Sequence, residues 1–244
     1  FHADAGIGDC LLSRGLGDVY KRQFKDLVNI WKSENNLSQA WSESNDMLHL
    51  SHEMFKDAIE ALRSGEKNKV LKSIKLRDEK INDYHREIRK KVVTYYSVSK
   101  DVTNIDSGLV LINIVVDIER IGDYSKNILD LAKHYPKKFV SEKFSEDLRI
   151  IEKAVLDRFS TTIEAVENMD EKIAGELIGS YRNDLGKLSD KIVASSISGD
   201  VEIGKENKTA SVALYARYLK RIGAHLKNIT SSVVNPFESI GYNK

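Results

Sequence analysis

Proline and cysteine are almost missing from this chain: 2 Pro and 1 Cys in 244 residues. The lone thiol, Cys10, can close no internal disulfide and offers no cysteine-rich metal framework, which suits a reducing compartment such as the cytoplasm. So little proline argues against turn-rich all-β folds and collagen-like chains. Charge of one sign is missing too. Lys+Arg 38 against Asp+Glu 37 gives a net charge of +1, so no global basic field asks for nucleic acid and no acidic tail for a basic partner. The longest apolar run, Gly108 to Val116, is broken by Asn113 and is less than half of the ~20 residues a bilayer span requires. No transmembrane helix is expected.

What is present is 41% apolar and 31% charged residues. That composition favours long helices, in one large domain or two of about 110 residues. Residues 1–23 do not match the rest. Gly6, Gly8, Gly15 and Gly17 crowd a stretch with neither helical nor strand period, and it lacks the basic start, apolar centre and cleavage site of a secretory signal. It is expected to be a non-native leader, with the native chain opening near Phe24, or else a disordered native tail.

Helix signals dominate thereafter. Ser38 can open a first helix whose seam, Leu48, His52, Phe55, Ile59 and Leu62, runs to a stop at Ser64-Gly65. A second helix is predicted from about Lys67 to Ser97, with Leu71, Ile74, Asp78, Ile81, His85, Ile88 and Val92 on one seam. Thr103 to His134 forms a third, closed by Pro136. Ser141 to Asn168, Asp170 to Ser198 and Glu206 to Val234 complete a set of six, with an irregular stretch allowed from Gly199 to Gly204.

An internal repeat organises these helices. Asp117-Ile-Glu-Arg-Ile-Gly-Asp-Tyr-Ser-Lys-Asn-Ile128 aligns without gaps with Tyr218-Leu-Lys-Arg-Ile-Gly-Ala-His-Leu-Lys-Asn-Ile229. The fold class expected is all-α, two tandem three-helix bundles, over residues 24–136 and 137–244. Core stripes follow in each copy: Leu111, Ile114, Ile118, Ile121 and Ile128, then Val212, Tyr215, Leu219, Ile222, Leu226 and Ile229. Gly122 and Gly223 sit inside helices, where glycine costs ~1 kcal/mol relative to alanine, so close helix packing is the expected reason for both.

A second stripe on the third helix changes character along its length: Leu109, Ile112 and Val116 are followed by Glu119 and Asp123. On the second helix Asp78 interrupts the apolar seam, with Glu79 beside it and Asn82 one turn on. If the two seams face each other, these oxygens converge. Like charges 4 Å apart repel by roughly 4 kcal/mol at an effective dielectric near 20, so the group would raise its pKa values or hold a cation. All-oxygen ligation favours Mg, Mn or Fe. The same carboxylates can instead be paired with Arg120, Lys126, Arg86 and Lys80. In the second copy Lys220 and Ala224 replace Glu119 and Asp123, so no cation cluster is expected there; a weaker register sets Arg182 and Gly186 opposite Asp78 and Asn82. His49 and His52 have ligand spacing, but His52 lies in a core seam; His85 shares the Asp78 seam. Arg86, Arg89, Lys90 and Lys91 read as a solvated face. No phosphate loop or nucleophile elbow appears, and no general base stands out for a metal-dependent hydrolase or oxidase.

The stretch from Asp117 to Ile128 resembles the hallmark of the PhoU phosphate-signalling family, and Asp78-Glu-Lys-Ile-Asn82 with Arg86 to Val92 is similar to that family's second-helix motif. The segment Leu219 to Ile229 resembles the second copy. The resemblance spans about Phe24 to Lys244 and implies two three-helix repeats with metal-binding acidic motifs. Carried onto this sequence, the ligands would be Glu119, Asp123 and Asp78, with Asn82 and Glu79 in support, for Fe, Zn, Mg or Mn. It further implies a cytoplasmic, non-catalytic, homo-oligomeric regulator of phosphate uptake. Such a regulator would contact a phosphate ABC transporter ATPase, a sensor histidine kinase, or both. A helical scaffold, or a cytosolic domain serving a sodium-phosphate cotransporter, is the alternative.

Overall fold

The computed structural model describes residues 35–99, 105–135, 139, 143–181, 185–198 and 206–242. Within these residues the regular structure is helical: α1 (Asn36–Ser64), α2 (Asn68–Lys75), α3 (Arg77–Ser99), α4 (Ile105–His134), α5 (Ser145–Glu167), α6 (Glu171–Ser180), α7 (Leu185–Ser198), α8 (Glu206–Val234) and a 3₁₀ turn (Phe237–Ser239). The expected leader and the stretch from Gly199 to Gly204 lie outside the described residues, as do Pro136 and Arg182.

Local chemistry accounts for the helix ends. The Asn35 side chain accepts from the amides of Leu37 and Ser38 at 2.9 Å each, while Ser38 Oγ accepts from the Asn35 amide at 3.0 Å. This reciprocal cap starts α1 slightly before Ser38 and satisfies donors that a helix cannot satisfy internally. Gly65, at φ 74°, takes the left-handed geometry that closes the helix. Asp170 caps α6 through the amides of Lys172 and Ile173. The predicted second helix is divided at Leu76, 61% exposed, into α2 and α3. Its fifth-helix counterpart is likewise divided, into α6 and α7.

The first bundle is α1 packed on α3 and α4, with α2 filling one end; α5, α6, α7 and α8 pack into the second. The expected seams are the core. Leu48, Phe55, Leu62, Leu71, Ile74, Ile81, Ile88 and Val92 are buried, and so are the core stripe of α4 from Leu111 to Ile128 and that of α8 from Val212 to Ile229. Each such side chain contributes ~1.5–3 kcal/mol relative to leaving it in water. His52 departs from that seam: it is half-buried, its ring 4.6 Å from that of Phe159.

The two bundles share one continuous core through contacts of α4 with α8 and α1 with α5. The α4–α8 seam has a pseudo-two-fold character legible in its pairs. His225 Nδ1 lies 2.7 Å from Asp117 Oδ1, and the reciprocal pair in the repeat alignment, Tyr124 and Tyr218, has ring centroids 5.9 Å apart.

Candidate functional site

The polar cluster lies between α3 and α4. Asp78 comes from the first turn of α3, where a carboxylate suits the helix's positive end, and it is only 7% exposed. One turn on, Asn82 donates its amide to Asp78 Oδ2 at 3.0 Å. From α4, Lys126 Nζ donates to the same Asp78 Oδ2 at 2.8 Å and to Asp123 Oδ1 at 3.0 Å. Arg120 Nη1 donates to Asp123 Oδ2 at 3.3 Å, and its Nε stands 3.6 Å from Glu119 Oε2. Gly122 permits the approach of the two helices: a methyl there would lie 3.3 Å from Ile81 Cδ1 and 3.6 Å from Asp78 Oδ1.

Electrostatics follow from that placement. Burial pushes the Glu119 carboxyl above its usual range; Asp123 and Asp78 add to the effect, and Arg120 and Lys126 oppose it. Burial alone would lower the Lys126 ammonium, but its hydrogen bonds to Asp78 and Asp123 outweigh that and hold it above its usual value. Asp78 Oδ1 is buried with no hydrogen-bond partner.

Four of the five expected ligands are thus neighbours of one cluster. Glu79 is not: it is exposed, on another side of α3. Among the described residues no group of three or more His, Cys, Asp or Glu side chains gathers as a metal would require. The donor set as arranged does not fit an ion, because the point shared by Asp78 and Asp123 is taken by a fixed ammonium. Of the four cations read as alternative partners, Lys126 and Arg120 do pair with this cluster. Arg86 instead meets Asp83, and Lys80 lies 5.7 Å over the Tyr84 ring.

In the second bundle Lys220, at the position of Glu119, donates to both oxygens of Asp190 on α7 at 2.6 and 2.7 Å, with Arg217 3.8 Å away. A methyl on Gly186 of α7 would lie 3.8 Å from Lys220 Cε. The histidine candidates disperse. His49 Nε2 lies 2.5 Å from Glu167 Oε1 on α5. Burial lowers the pKa of His52, with Lys56 adding to it, and burial followed by the Arg89 charge lowers that of His85. Arg86, Arg89 and Lys90 are exposed as expected, while Lys91 reaches Glu43 on α1.

Two polar groups escaped sequence reasoning. Asp117 Oδ1 accepts from Asn228 at 3.1 Å as well as meeting His225, joining the repeats. At the centre of the molecule Glu152 Oε1 accepts from Arg63 Nη2 at 2.5 Å, Arg63 Nε at 3.0 Å and the Tyr215 hydroxyl at 2.5 Å. Burial first, then the Glu152 charge, raises the Tyr215 pKa well above its ordinary value. Arg63 ends the first-helix pattern and Tyr215 sits in a core stripe, so both read as ordinary members of their elements.

Comparison with known proteins adds four likenesses. The PhoU domain family matches residues 44–132 and 148–233. The Phosphate-specific transport system accessory protein PhoU homolog 1 of Thermotoga maritima is 29% identical over 217 residues, covering 82% of this chain and 87% of that protein. The crystal structure of PhoU from Pseudomonas aeruginosa superposes with a TM-score of 0.73 at 20% identity, covering 82% of this chain and 95% of that one. A phosphate transport system regulatory protein, PhoU from Streptococcus pneumoniae, gives 0.63 at 18% identity, covering 81% and 93%.

Proposed function

Since the chain belongs to the PhoU domain family, matched in both bundles, we propose that it regulates phosphate transport as a non-catalytic adaptor. The observation that carries this reading is the double family match together with likeness, over most of both chains, to a protein described as an accessory of phosphate-specific transport. An accessory role asks for surfaces rather than chemistry. The partner class is the cytoplasmic ATPase subunit of a phosphate ABC transporter, with a phosphate-responsive sensor histidine kinase as the second contact. The chain would work as a homo-oligomer on the cytoplasmic face. No described helix is long and apolar enough to cross a membrane, so contact with a transporter would run through such a subunit.

Two measurements test this. Deleting the gene in its own host should derepress phosphate uptake when phosphate is abundant, and supplying the chain in trans should restore control. The purified chain should also retain the transporter ATPase in a pull-down. Unchanged uptake in the deletion, together with no ATPase retention, rejects the adaptor reading.

A further inference from the structure

We propose that Lys126 is a built-in counter-ion whose ammonium holds the cation position of the first bundle, so that the cluster of Asp78, Glu119 and Asp123 takes up a divalent metal only when that lysine is removed. Asp78 is 7% exposed, and a carboxylate so buried needs a positive partner. Lys126 Nζ supplies it at 2.8 Å and reaches Asp123 at 3.0 Å, drawing together two acids from different helices. That is the task a bridging metal would perform, done by a charge attached to the chain. Lys126 and Arg120 already set two positive charges against three carboxylates, which leaves a net charge of only about −1 to attract a dication, and the ammonium stands at the point between Asp78 and Asp123 that such an ion would need.

In the second bundle a lysine of the last helix also meets an aspartate of the middle one, Lys220 with Asp190, but from the position of Glu119 rather than that of Lys126 and with Asp190 largely exposed, so the buried counter-ion belongs to the first bundle. What Lys126 leaves over is Asp78 Oδ1, buried and unpartnered. With the ammonium gone, Asp78, Asp123, Glu119 and the Asn82 amide oxygen would form an oxygen set of the kind that suits hard or intermediate dications.

The test uses the full chain and Lys126→Met, each stripped with EDTA, exposed to Mn2+, desalted and analysed for metal content and thermal melting. Wild type is expected to hold no stoichiometric Mn2+ and to melt at the same temperature with and without EDTA. Lys126→Met should take up about one Mn2+ per chain and melt higher with it, because an ion bound only by the folded state stabilises that state. Adding Asp78→Asn to that variant should abolish the uptake, and Lys126→Arg, which keeps a cation, should stay metal-free. If Lys126→Met is unfolded in EDTA, recovery of its helical circular dichroism on adding Mn2+ reads the same uptake. Stoichiometric metal in wild type that Asp123→Asn removes would overturn the proposal, and so would a Lys126→Met chain that gains neither metal nor helicity from Mn2+.

Discussion

At the residue scale, Glu119 is a carboxylate whose charge its surroundings disfavour. Its surroundings hold one carboxylate too many, so its folded-state pKa is raised by burial and by Asp123. A raised carboxyl binds its proton more tightly folded than unfolded, so stability is highest below the ordinary carboxylate range and falls as pH rises through the raised value. Glu119→Gln removes the charge and keeps the shape, and it gives up only a loose 3.6 Å contact with the half-exposed Arg120. The variant is therefore expected to melt above wild type at pH 7, with the gap closing as pH falls toward about 4. Thermal melts across that range check it; a gap that does not change with pH would show that charge is not the cause. Sequence spacing brought out the acids but not which of them is strained. Asp78 and Asp123 share an ammonium that is three residues from Asp123 and 48 from Asp78 in sequence, and only packing decides between local and distant partners.

At the scale of the element, the periodicity of apolar residues placed α1, α3, α4, α5 and α8 closely, because a buried seam at steps of three and four has one structural solution. It did not show the break at Leu76, where the seam passes from Ile74 to Asp78 without losing register. The two helix glycines divide similarly. Close packing explains Gly122, whose added methyl would crowd Ile81 Cδ1 at 3.3 Å, but not Gly223, whose nearest neighbour would be Val155 Cγ2 at 3.9 Å. Gly223→Ala should therefore gain most of the helix-propensity difference, up to ~1 kcal/mol, while Gly122→Ala should gain less or nothing because Ile81 must shift. Denaturant titration of the two variants separates them, and equal gains would contradict the packing difference. The aligned sequences alone treat these glycines as equivalent, since the motif around them is shared and the difference lies in the facing helix.

At the scale of the whole molecule, the repeat alignment foretold two similar units but not how firmly they are joined. Arg63 of α1 reaches Glu152 of α5, which also accepts from Tyr215 of α8, and Glu152 is only 8% exposed. Arg63 Nη1 additionally donates to the Phe139 carbonyl at 3.0 Å, binding a residue between the bundles. With the core continuous across α4–α8 and α1–α5, opening one bundle would expose apolar surface and an uncompensated carboxylate in the other. The halves should consequently unfold together. Removing Arg63 leaves Glu152 buried with only a hydroxyl partner, a loss of about 3 kcal/mol, which for a chain of this size lowers the melting temperature on the order of 10 °C. Trp41 is buried in α1, so in a Trp31→Phe background fluorescence follows the first bundle while far-ultraviolet circular dichroism follows every helix. In that background, with and without Arg63→Ala, the two signals should trace one coincident transition, displaced downward in the Arg63→Ala variant. A fluorescence midpoint that moves away from the dichroism midpoint would instead mean that the bundles are separate folding units joined by an incidental ion pair.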